Sequence, residues 1–266
     1  MKLSVITINY NNCDGLRKTI ESVVNQTCRD FEYIIIDGGS TDGSVDVIKQ
    51  YANKIDYWVS EPDKGIYNAM NKGIAVAHGE YLNFMNSGDC FYEPTVVENV
   101  LPNLCSADFY VGNIYVDNNG HRTKDTMPQE FTPSIVLSRL VFSWIPHQAS
   151  LIKKNAFNKY GYYCEDLRII SDLVFNYTSL VLNNAQISPL GIDVALYDGN
   201  GVSSDSITTH NEFLTWLSNL SIQKELYLFY RENYEIMTAI KSTKIGYFLM
   251  RVYFFFYRHW EKILTT

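Results

Sequence analysis

The chain has 266 residues, 46% of them hydrophobic and 19% charged: enough apolar material for one large folded domain, and too little charge for a disordered chain. Its 22 Lys and Arg against 29 Asp and Glu leave a net charge of −7, which speaks against a nucleic-acid partner. Five cysteines are scattered without a C-x-x-C pair, so a disulfide framework or structural zinc site is not expected, and a reducing, cytoplasmic compartment is.

The first residues after Met1-Lys2, Leu-Ser-Val-Ile-Thr-Ile over 3–8, read as a buried parallel strand rather than a signal peptide. Asp14 is placed to cap a following helix, in which Leu16, Ile20, Val23 and Val24 recur at helical spacing. A second strand over 31–36 runs into Asp37. Gly38 and Gly39 then make a turn, and Thr41 or Asp42 caps a helix carrying Val45, Ile48 and Tyr51. A third strand is expected over Ile55–Ser60 and a third helix on Ile66, Ala69, Met70, Gly73 and Ile74, closed by Gly79. Tyr81–Met85 is the fourth strand, ending in Asn86-Ser87-Gly88-Asp89. Such alternation predicts a parallel α/β sheet covered on both faces.

Beyond it, Phe109–Val116 and the turn Asp117–Gly120 predict a hairpin, and residues 125–145 read as an irregular loop. Helices are expected over Ala156–Tyr160 and Leu167–Leu182, and from Glu212 to the end. This divides the chain into a main domain, 1–205, and a helical extension, 206–266. No stretch approaches the roughly 20 apolar residues that span a bilayer. Residues 244–262 mix aromatic and basic side chains; a core helix, a peripheral membrane contact and a homodimer surface all suit them.

In an open parallel sheet, ligands bind beyond the carboxyl ends of the strands. Four such ends carry polar residues: Thr7, Asn9, Tyr10 and Asn11; Asp37; Glu61, Asp63 and Lys64; Asn86 and Asp89. Their convergence points to a binding site. Neither G-x-G-x-x-G nor G-x-x-x-x-G-K-[ST] occurs, so a bound nucleotide would be held by side chains, with Asp37 accepting from a pyrimidine base or ribose. An Asx-turn is the structural alternative for Asp37.

Several stretches in order, Ser4-Val-Ile-Thr-Ile-Asn-Tyr-Asn11, Ser22–Thr27, Phe31–Ser44 with Asp37-Gly-Gly-Ser-Thr-Asp-Gly, Glu61–Gly73 and Gly79–Asp89, resemble family 2 glycosyltransferases of the GT-A fold. The resemblance is dense over 1–95 and patchier to 205. It implies a GT-A-type, Rossmann-like mixed sheet flanked by helices, and inverting transfer of a sugar from a nucleoside diphosphate sugar, commonly a UDP-sugar. The acceptor would be a saccharide or lipid-linked saccharide, the latter placing the chain at the inner face of the plasma membrane. Asp37 would read the uracil, Thr7, Asn9 and Tyr10 would line the nucleoside pocket, and Asp63, Lys64 and Asn68 would lie near the ribose and diphosphate.

The family's Asp-x-Asp metal motif is thinned here to Asn86-Ser87-Gly88-Asp89. Only Asp89 remains to bind Mg²⁺ or Mn²⁺ directly, with Asn86 as a weaker oxygen ligand. The general base is expected beyond residue 160, among Glu165, Asp166 and Asp172. Asp172, behind Ser171, best fits the family's helix-opening Asp, and Glu165 and Asp166 read as surface charges. His147 is expected on a strand facing the acceptor, and Gly199–Ser204 as a loop over the diphosphate. The competing readings are a non-catalytic nucleotide-sugar binder, and a nucleotidyltransferase, whose Gly-rich basic loop is missing from Asn9–Asp14.

Overall fold

A computed structural model describes residues 1–199 and 206–218. The chain divides into two units, Met1–Glu212 and Phe213–Thr266. The expected phosphate loop from Asn200 onward and the aromatic, basic segment 244–262 lie outside the described residues.

The first half alternates as the sequence predicts: β1 (Leu3–Asn9), α1 (Cys13–Val24), β2 (Glu32–Asp37), α2 (Ser44–Gln50), β3 (Tyr57–Ser60), α3 (Ile66–Val76) and β4 (Tyr81–Phe84). Then come β5 (Cys90–Phe91), α4 (Val96–Val100), β6 (Phe109–Asn118), β7 (His121–Asp125), α5 (Pro133–Phe142), β8 (Ser150–Lys153), α6 (Lys154–Tyr160), α7 (Ser171–Asn176), β9 (Ile187–Asp198) and α8 (Ser206–Ser218). Among the described residues no helix is long and apolar enough to cross a membrane.

The strands form one mixed sheet in the order β3-β2-β1-β4-β8-β6-β9-β5, with β7 paired to β6. β3, β2, β1 and β4 are mutually parallel, and β8 runs antiparallel to β4. Every residue of β1 and β2 is buried because both faces are covered. Leu3, Val5, Tyr33 and Ile35 join the core formed with α1, α2 and α4. Ile6 and Ile36 point the other way, against α3, where a Cβ on Gly73 would lie 2.6 Å from Ile6 Cγ2. A continuous apolar run is what a doubly covered strand requires.

Several local expectations shift. The cap of α1 is Asn12, whose Oδ1 accepts from Gly15 N at 3.1 Å, rather than Asp14, which sits in the first turn. Gly79 does not close α3, which ends at Val76; it passes so close to β1 that a Cβ would lie 2.4 Å from Ser4 N. The loop expected over 125–145 contains α5, started by Thr132 and Pro133. The helix expected over Leu167–Leu182 begins only at Ser171 and ends in a π-helical turn, Tyr177–Leu182. The residues before it form turns and bends instead of helix, with the Glu212 carboxylate accepting the N–H groups of Arg168, Ile169 and Ile170. The hairpin stands, turning on Asn119 and Gly120 with φ of 54° and 88°.

Candidate active site

Backbone hydrogen bonds bring the four parallel strand ends to one edge. Gly38 N donates to Asn9 O at 2.9 Å, Glu61 N to Asp37 O at 3.0 Å, and Ser87 N to Ile8 O at 3.1 Å. The strand order reverses between β1 and β4, and there Asn12 Nδ2 reaches Ser87 O at 3.2 Å. This is where an open α/β sheet leaves its crevice.

Asp37 is 0% exposed. Oδ1 accepts from Asn9 Nδ2 at 2.7 Å and Ser40 Oγ at 2.6 Å; Oδ2 accepts from Ser60 Oγ at 2.6 Å and from the N–H groups of Ser40 and Gly39 at 2.9 and 3.2 Å. Burial pushes its carboxyl up, but the bonds from Ser40, Ser60 and Asn9 outweigh it and hold Asp37 below the ordinary carboxylate range. With five internal donors, Asp37 knits the ends of β1, β2 and β3 together, and the expected direct contact to a base is corrected to that role. Ser40 and Ser60 were missed because isolated serines carry no signal until an acid is placed beside them.

Thr7 is corrected too. It is fully buried, and its hydroxyl lies 2.8 Å from Met85 O and 3.1 Å from Tyr33 Oη, so it stays beneath the crevice. Tyr10, by contrast, is 66% exposed. Tyr10 and Asp63 close around Gly38: a Cβ there would lie 2.5 Å from Asp63 Oδ2 and 3.2 Å from Tyr10 Cδ2. Lys64 beside them is exposed. Asn68 is used at both ends, accepting from Lys64 N at 3.2 Å and donating to Glu165 Oε2 at 2.8 Å, so it braces the site instead of reaching a phosphate. Glu165 is correspondingly more than a surface charge, since Asn71 Nδ2 also donates to it at 3.0 Å.

The base candidate meets this edge through a run of hydrogen bonds. Asp172 lies on the first turn of α7, its side chain 24% exposed. Its Oδ1 accepts from Tyr67 Oη at 2.9 Å, a hydroxyl shared with the Ile169 carbonyl. Its Oδ2 lies 3.1 Å from His147 Nδ1, and His147 Nε2 lies 3.1 Å from Asn86 Nδ2. Burial raises the Asp172 carboxyl, but the hydrogen bond and charge of His147, the Tyr67 hydroxyl and the Leu173 N–H bring it below the usual range. Asp172 is therefore ionised at neutral pH and able to take a proton. His147 opens a short 3₁₀ turn ahead of β8, not a strand as expected. Tyr67 was missed, since one tyrosine in a predicted helix carries no signal until the acid of α7 is placed beside it.

Asp89 and Asn86 share one turn, Asp89 N donating to Asn86 O at 2.9 Å. Asp89 is 5% exposed, with Oδ1 accepting from Asp198 N at 3.0 Å and Oδ2 from Gln148 Nε2 at 3.1 Å. Burial pushes its carboxyl up to about 6. A divalent ion keeping several waters needs open space, which a carboxylate 5% exposed and engaged through both oxygens does not offer. Among the described residues no three His, Cys, Asp or Glu side chains gather to hold one. Asp89 does not fit the expected metal role. The buried side-chain atoms Asn9 Oδ1, Asn86 Oδ1, Gln148 Oε1 and Ser171 Oγ, all beside the strand ends or Asp172, have no protein partner. Buried polar atoms rarely stay unpaired, so each of these is expected to take a water or a ligand atom as partner.

The fold is that of solved glycosyltransferases. Staphylococcus aureus TarS 1–349, solved in complex with UDP-GlcNAc, superposes with a TM-score of 0.64 at 20% identity, over 81% of this chain and 65% of that one. The mannosyltransferase PcManGT from Pyrobaculum calidifontis, in complex with GDP-Man and Mn²⁺, gives 0.60 at 15% identity, over 82% of this chain and 64% of that one. The chain thus spans slightly under two thirds of each of these two structures. In sequence it is 35% identical over 211 residues to an uncharacterised glycosyltransferase of Mycobacterium tuberculosis, covering 76% of this chain and 77% of the relative. A family model, Glycosyl transferase family 2, matches residues 4–175. With the sheet, the crevice at its switch point and these matches in place, the chain belongs to glycosyl transferase family 2 and is a glycosyltransferase.

Proposed function

We propose that the chain is an inverting glycosyltransferase that moves a sugar from a UDP-sugar to a hydroxyl of a glycan or lipid-linked acceptor, with Asp172 as general base. The observation that carries the reading is the run Tyr67–Asp172–His147–Asn86, which joins an ionised acid on α7 to the tip of β4. TarS, solved with UDP-GlcNAc, supports a UDP-sugar donor. In this reading the acceptor hydroxyl gives its proton to Asp172 as its oxygen attacks the anomeric carbon. The sugar–phosphate bond breaks on the opposite side and UDP departs. A single displacement of this kind inverts the anomeric centre. Tyr67 and His147 orient the acid, and Lys64 sets a positive charge near the diphosphate. Tyr10, Asp63, Asn9 and Ser87 lie at the crevice for the nucleoside side.

The Mn²⁺ in PcManGT brings Mg²⁺ or Mn²⁺ into the proposal as a condition of the assay. Among the described residues no three His, Cys, Asp or Glu side chains gather to hold it, and no step here passes through an ion. The experiment is a panel of UDP-sugars with saccharide acceptors, with and without Mn²⁺ or Mg²⁺, reading UDP release. Acceptor-dependent release is expected, and Asp172→Asn should lower kcat by about 10²- to 10⁴-fold. An Asp172→Asn chain with undiminished turnover removes the base assignment. UDP binding by calorimetry without turnover on any donor favours the binder reading instead.

A further inference from the structure

We propose that Asp89 is a positioning residue: a buried strut that ties the His147–Gln148 turn and the end of β9 to the tip of β4, and so sets His147 against Asp172. The inference rests on the transfer reading for its kinetic test, and on the geometry alone for its thermodynamic one. Two segments distant in sequence meet on this carboxylate, and a third on the backbone of the same residue. Gln148 Nε2 donates to Oδ2 at 3.1 Å and Asp198 N to Oδ1 at 3.0 Å. Thr19 Oγ1 of α1 donates to the Asp89 carbonyl at 2.7 Å. Gln148 is 1% exposed, and its backbone carbonyl is held in turn by Asn83 Nδ2 at 2.9 Å. The residue before it is His147, whose two ring nitrogens reach Asp172 and Asn86. Asn86 lies in the same turn as Asp89, held by the Asp89 N–H, so the carboxylate fixes the turn that carries His147 against the turn that carries the amide His147 faces.

The strut and a metal ligand differ in what an amide can replace. An Asn at position 89 still accepts from Asp198 N through Oδ1, and its Nδ2 donates to Gln148 Oε1, which at present has no protein partner, once the Gln148 amide turns over. The strut survives, whereas an ionic ligand would be lost. Asp89→Asn should therefore turn over within about threefold of wild type, with an unchanged response to added Mn²⁺. Asp89→Ala and Gln148→Ala should each lower kcat at least about tenfold while the KM for the donor barely moves. An Asp89→Asn chain as impaired as Asp89→Ala, or one needing more Mn²⁺, overturns the proposal.

A second measurement does not depend on turnover. In a double-mutant cycle of Asp89→Ala and Gln148→Ala read by chemical denaturation, the double variant should be more stable than the two single losses added together predict. Strict additivity overturns the strut even if no donor is ever turned over. Coupling in a chain that transfers no sugar leaves the strut standing and removes the transfer reading. Should Asp89→Ala fail to fold, the Asp89→Asn and Gln148→Ala comparison decides.

Discussion

Asp37 and Asp89 lie at strand tips on the same sheet edge, both buried, yet their carboxyl groups are driven in opposite directions. Burial raises both. At Asp37 the hydrogen bonds of Ser40, Ser60 and Asn9 overcome it; at Asp89 the Asp198 N–H, the charge of His147 and the Gln148 amide do not. Linkage gives the signs. Asp37 binds its proton less readily in the fold, so its contribution is fully present above the ordinary value of 3.8 and is lost as the pH falls through its lowered native value. Asp89, pushed up to about 6 from 3.8, binds its proton more readily in the fold, so its contribution grows as the pH falls from about 6 toward 3.8. Thermal unfolding followed from pH 7 to pH 5 should therefore show a rise that is smaller in Asp89→Asn; identical slopes would contradict the burial of that charge. Asp37→Asn should lose on the order of 3 kcal/mol at neutral pH by denaturant melt, since an amide cannot accept all five donors.

At the level of elements, α5 shows what was legible but passed over. Thr132-Pro133 is a starting signal in its own right, a capping side chain followed by Pro at N1. In the structure Thr132 Oγ1 accepts from Ile135 N at 3.3 Å. The apolar residues that follow are not spaced to one face, which is why the segment reads as loop. Thr132→Ala should cost about 1 kcal/mol, measured by chemical denaturation. The opposite error, one long helix over Leu167–Leu182, arose because Ile169, Ile170 and Leu173 keep helical spacing while the Glu212 carboxylate takes the backbone N–H groups before α7. No local pattern reveals a competitor more than forty residues away, as the sequence separations of 44, 43 and 42 show.

Across the whole first unit, α7 owes its place to an aromatic cluster. Phe157 of α6 stacks on Phe175 of α7 with centroids 4.6 Å apart and planes 10° from parallel. Tyr163 packs edge-on against Phe84, Phe157 and Phe175 at 5.7, 5.4 and 5.4 Å, and lies tilted against Tyr67 at 5.6 Å. This cluster bolts α7 to β4 and α3, and so carries Asp172 to the sheet edge. Phe157→Ala should destabilise the chain by about 3–5 kcal/mol in denaturant melts. Asp172 should lose its seat with it, so kcat should fall even where the variant stays folded.

The sequence by itself determined the four parallel strands, their polar tips and the family, because continuous apolar runs broken by helical periodicity admit few sheets and several ordered motifs admit few families. It also pointed to Asp172, through its place behind Ser171 in a likeness to known chains. What each tip does was decided by tertiary structure alone. Asp37 and Asp89 at strand ends, and Asn68 at the start of α3, look like ligands in a linear reading because polar residues beyond the strand ends of an open sheet commonly line its binding site. Here Ser40, Ser60, Glu165, Gln148 and the Asp198 N–H fill their hydrogen-bonding positions from elsewhere in the chain. Whether a carboxylate faces ligand or protein depends on which donors the fold packs around it, and three of those donors, Ser60, Gln148 and the Asp198 N–H, come from sequence separations of 23, 59 and 109, at which local patterns carry no signal.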